Sequence, residues 1–138
     1  MKKYFLAIFM FLTSFSSQGQ SLSGKEIQIY NEVFIKCTKA LGYTQQAVSF
    51  RNINKSPQEA FNNLKQTEEK NNASLKKNGN PKFNASLSDA QLKKIVNDAY
   101  FGPYKYANMD DFPDSTRLCH RIASENAKGS TKKWNPLK

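Results

Sequence analysis

The sequence predicts an all-α fold, a small bundle of four or five short helices stapled by one disulfide and preceded by an export signal. Three observations carry this reading. Serine-led helix starts recur at 23, 56 and 88. No stretch alternates apolar and polar residues as a half-buried strand does. Two cysteines, Cys37 and Cys119, fall on apolar stripes of the first and last helical segments.

Met1, Lys2 and Lys3 form a short basic start, and Tyr4 to Phe15 is an apolar run. Ser17 and Gly19 then place small residues ahead of a cleavage point, so residues 1–19 read as a signal peptide leaving Gln20 first. A spanning helix needs about 20 apolar residues, which makes an anchor the weaker reading. No cysteine follows the cleavage point to take a lipid. The brief Lys-Lys start is bacterial in style, which would place the protein in the periplasm or the medium.

The first helix is expected over about 24–41. Ser23 and Glu26 match a capping box, in which the serine oxygen accepts a backbone N–H and the glutamate returns the bond. Leu22 and Ile27 flank it as a hydrophobic staple. Ile27, Tyr30, Val33, Phe34, Cys37 and Leu41 fall on one stripe at 100° per residue. Gly42 then suits the position just past a helix end. A short helix over about 45–52 follows, with Ala47, Val48 and Phe50 apolar.

Ser56, Pro57 and Glu59 repeat the start signal, with proline where no N–H is needed. That helix turns polar and is expected to end near Lys70. Residues 71–85 hold five Asn, three Lys, a Gly and a Pro and read as a polar loop. Ser88 and Gln91 make a third capping box. Leu92, Ile95, Val96, Ala99 and Tyr100 line the next helix, which Gly102 and Pro103 end. The last helix is expected over about 114–126, with Leu118, Cys119 and Ile122 on one face. Residues 20–127 thus form a single helical domain, and 128–138 a basic tail. In an oxidising compartment the cysteine pair reads as one disulfide, Cys37–Cys119.

The chain has 138 residues, with 21 Lys and Arg against 11 Asp and Glu and a net charge of +10; loss of the signal leaves +8. Nucleic-acid binding needs clustered cations and a recognisable module. Here the cations are scattered, no such module is present, and an exported chain rarely meets nucleic acid. Anionic lipid, wall polymer or an acidic protein suits the charge better. Asn54, Asn72 and Asn84 each head a glycosylation triplet, which 14 asparagines produce by chance.

Groups for catalysis are few. His120 is the one histidine, expected on the outer face between Arg117 and Arg121. No serine sits in a G-x-S-x-G elbow. Asp110, Asp111 and Asp114 lack calcium-loop spacing and precede a helix, where negative charge favours the helix dipole. A wall hydrolase using Asp111 or Asp114 is a minor expectation. Neither metal nor cofactor is implied, and no enzyme is expected. The segment from Tyr100 to Tyr106 is richer, with four aromatics crowding a turn around Lys105. Phe101, Tyr104, Lys105 and Tyr106, with Trp134 between lysines in the tail, are the candidate binding residues. Aromatic rings on a rigid turn anchor partners, whereas the plainer reading has Tyr100 and Phe101 completing the core and Tyr104 and Tyr106 covering its edge. The leading expectation is a small exported protein that binds an envelope or secreted protein, in the manner of an inhibitor or immunity protein. Binding of anionic lipid or wall polymer through the basic loop and tail is the alternative.

Overall fold

The computed structural model describes residues 22–78 and 85–129. All secondary structure among them is helical: α1 (Gly24–Asn52), α2 (Pro57–Asn78), α3 (Asp89–Tyr100), a 3-10 turn (Met109–Asp111) and α4 (Ser115–Ala127). The expected signal peptide and the tail from 130 onward lie outside the described residues.

Each start signal is used as the sequence implies. Ser23 Oγ accepts from Glu26 N at 3.3 Å and Glu26 Oε2 accepts from Ser23 N at 3.3 Å. The same reciprocal bonds join Ser56 to Glu59 and Ser88 to Gln91. Asp114 caps α4, its Oδ1 accepting from Thr116 N at 2.9 Å and Arg117 N at 3.4 Å.

Two boundaries differ from expectation. No break occurs at Gly42, and α1 runs unbroken for 29 residues. Gly42 does not adopt the left-handed conformation that would end a helix. A mid-helix glycine costs about 1 kcal/mol against alanine. The burial of Leu41, Tyr43, Thr44, Ala47 and Val48 on either side outweighs it. The chain turns instead at Asn54, whose φ of 59° is a left-handed position that asparagine tolerates. Likewise, the expected loop over 71–85 is helical as far as Asn78. Its early residues are polar because they meet a polar interior: Asn71 bonds Tyr43 and Asn72 bonds Lys39.

α1 is the common spine. Its second half packs with α2 and α3 around Tyr43, Val48, Leu64, Leu92 and Val96, all buried. Its first half meets α4, which packs on no other helix. That contact buries Leu118 and Ile122, with Val33 and Phe34 packed beside them. At its centre Cys37 and Cys119 form the expected disulfide, Cα atoms 5.6 Å apart.

A buried polar cluster ties α1 to α2. The Lys39 and Glu68 side chains, 8% and 5% exposed, pair at 3.1 Å. Lys39 Nζ also donates to Asn72 Oδ1 (2.7 Å) and the Ala85 carbonyl (3.0 Å). Glu68 accepts from Leu87 N (2.7 Å) and the Tyr43 hydroxyl (2.6 Å). Burial alone would raise the Glu68 pKa; the bonds from Tyr43, Leu87 and Lys39, with the lysine charge, outweigh it and hold the carboxyl below its usual range. Tyr43 is pushed well above its usual value, first by burial and then by its bond to the carboxylate.

Candidate functional site: the aromatic turn

The turn after α3 is built by close approach. The chain doubles back so that Phe101 N and Gly102 N both donate to Asn97 O, and Tyr104 N donates to Asp98 O at 2.9 Å. A Cβ on Gly102 would lie 2.8 Å from the Asp98 Cα, so only glycine fits there.

Arg51, in the last turn of α1, holds this segment. Its Nη1 donates to the carbonyls of Ala99 and Tyr104, and its Nη2 to that of Ala107, each at 2.7 Å. A planar guanidinium presents several donors in fixed directions, so one side chain fixes the end of α3 and two later points of the turn. These partners lie 48 to 56 residues downstream, and no local pattern in the sequence marks them. A basic residue in a last helical turn is the one signal that singles out Arg51.

The aromatic residues divide differently from the plainer sequence reading. Tyr104 is buried, its ring 6.0 Å from that of Phe112. Burial raises its hydroxyl pKa, and Asp98 adds to this. Phe101, by contrast, is 68% exposed. Tyr100 is half-buried, and its hydroxyl donates to the Lys55 carbonyl at 2.8 Å. Tyr106 stands 83% exposed, with Lys105 Nζ 4.8 Å from its ring centroid. Phe101, Lys105 and Tyr106 therefore share an exposed turn over a buried Tyr104. Trp134 lies outside the described residues.

The remaining candidates have structural partners. Asp111 accepts from Asn108 N at 2.6 Å and Asp114 caps α4. His120 is exposed, its Nδ1 2.7 Å from the Tyr30 hydroxyl. Among the described residues, no group of three His, Cys, Asp or Glu is placed to hold a metal ion, and no helix is long and apolar enough to cross a membrane.

Beside the turn lies a shallow groove of about 180 Å3 that the sequence did not suggest. Pro57, Gln58, Phe61, Lys93, Val96 and Asn97 line it, between the first turns of α2 and the outer side of α3. Asn97 and Phe101 are one helical turn apart, which puts the groove next to the exposed ring.

Comparison with protein-family models, curated proteins and solved structures gives no match.

Proposed function

We propose that this chain is a small exported protein that binds another protein of the cell envelope, in the manner of an inhibitor or immunity protein, through the turn carrying Phe101, Lys105 and Tyr106. The observation that supports this most is the exposure of two large aromatic rings on a segment held by Arg51 and Gly102. Binding energy concentrates in a few aromatic and basic anchors. A turn already fixed loses little further freedom when it docks. The buried disulfide and the signal-like N-terminus support the export part of the reading. The test is affinity capture from envelope extract with the disulfide-bonded chain. A discrete partner is expected, with capture weakened at least about tenfold by F101A/Y106A at unchanged helicity, as loss of a hot spot would give. Undiminished capture by that variant refutes the role of the turn.

A second reading, binding to anionic lipid or wall polymer, draws support from the charge excess and from the exposed Lys76 and Lys77 at the end of α2. It requires binding to fall steeply with salt. Sedimentation with anionic liposomes or wall fragments that is indifferent to salt excludes it.

A further inference from the structure

The groove beside the turn has its own chemistry. Pro57, Phe61 and the buried Val96 form its apolar part and Gln58, Lys93 and Asn97 its polar part, with Lys93 Nζ 5.5 Å from the Phe61 centroid. At about 180 Å3, it is smaller than the roughly 300–1,000 Å3 of sites that enclose small molecules. That is room for one large side chain. Neighbouring lysines on the same helices are paired, Lys65 with Asp89 and Lys94 with Asp98. Lys93 and Lys105 have no carboxylate in ion-pair contact among the described residues, and each stands over a ring instead. Lys93 lies at the groove and Lys105 on the adjoining turn, so positive charge without a carboxylate partner borders a groove whose lining is half apolar and half polar. The Asn97 side chain is exposed and bonds no described residue. Its amide offers both a donor and an acceptor, the pair that an extended peptide backbone presents. Gln58 by contrast already donates to Asn62 at 2.9 Å, leaving few free groups to surround a sugar's hydroxyls.

We infer that the groove receives one large apolar side chain from an extended segment of a protein partner, with acidic residues next to it in that segment. The inference rests on the protein-binding reading above and adds the chemistry of the partner. The apolar side chain packs on Phe61 and Val96, the Asn97 amide pairs with the backbone, and Lys93 and Lys105 meet the flanking carboxylates.

The test is a nuclear magnetic resonance titration of the isotope-labelled, disulfide-bonded chain with blocked tripeptides and one acidic sugar. The expected result is that Asp-Phe-Asp shifts the backbone amides of Phe61, Lys93, Val96 and Asn97. Lys93→Glu should weaken this about fivefold, the scale of one exposed charge pair, and Lys93→Gln by less, both with undisturbed spectra elsewhere. Equal binding of Lys-Phe-Lys or Asp-Ala-Asp overturns the inference. So does a silent groove, or tighter binding of N-acetylmuramic acid at the same amides. A silent groove together with capture lost on F101A/Y106A removes this inference and leaves the binding reading standing. Tripeptide binding with capture unaffected by F101A/Y106A removes the turn from the reading and leaves the groove.

Discussion

The two halves of α1 are held in place by different means. The first half meets one helix, α4, through a small apolar cluster built round a disulfide. The second half is enclosed by α2 and α3 in a larger cluster that contains no disulfide. Instead it carries a charged pair in its interior, with each polar atom satisfied. Where two helices alone share few apolar side chains, chain entropy is restrained by a covalent bond. Where three helices converge, the apolar cluster is larger and even accommodates an ion pair. The exposed turn is fastened by Arg51 to the far end of the second half, away from the disulfide.

The largest expected effect breaks the first region. The disulfide closes a loop with a sequence separation of 82, for which the chain-entropy model gives about 4.5 kcal/mol. Cys37→Ala with Cys119→Ala should lower the unfolding free energy by up to that amount. Hydrogen exchange in α4 should rise more than in α3. Equal rises in both helices would erase the distinction between the regions.

The next effect strikes the second region. Glu68→Gln leaves Lys39 buried without its counter-charge, at a cost of about 3 kcal/mol, measurable by urea unfolding. The pH dependence carries a sign. Because the folded carboxyl lies below its usual value of 4.5, acid protonates the unfolded chain first. The stabilisation is complete above that value and is lost as pH falls through the depressed one. Glu68→Gln should remove this portion of the acid sensitivity.

Arg51→Lys is expected to cost about 2 kcal/mol, since an ammonium cannot reach three carbonyls as a guanidinium does. The loss should appear as faster hydrogen exchange in the turn, with α4 and its disulfide little affected. Ser88→Ala should cost about 1 kcal/mol, the ordinary value of an N-cap, confined to α3.

These residues also show what the sequence made legible. Helix starts were readable at Ser23, Ser56, Ser88 and Asp114 because capping is local chemistry. The disulfide was readable because two independent apolar stripes each carried a cysteine. The extents of α1 and α2 were not, because long-range packing overrode local signals at Gly42 and after Lys70. Counting apolar residues treats polarity as exposure, and the Lys39–Glu68 pair is polar and buried. Composition alone singled out Phe101, Lys105 and Tyr106 as candidates, and the structure leaves all three exposed. Arg51 and the groove depend on residues brought together across the chain, and for the same reason the plainer reading put Phe101 in the core and Tyr104 at its edge, where the structure has Phe101 exposed and Tyr104 buried.

The position of the disulfide has one more consequence. It converts everything from Cys37 to Cys119, including all of α2 and α3, into a covalent ring. A single protease cut anywhere within that ring releases nothing, because both fragments remain tethered through sulfur. Such a nicked molecule would run as one species until reduced and as two afterwards.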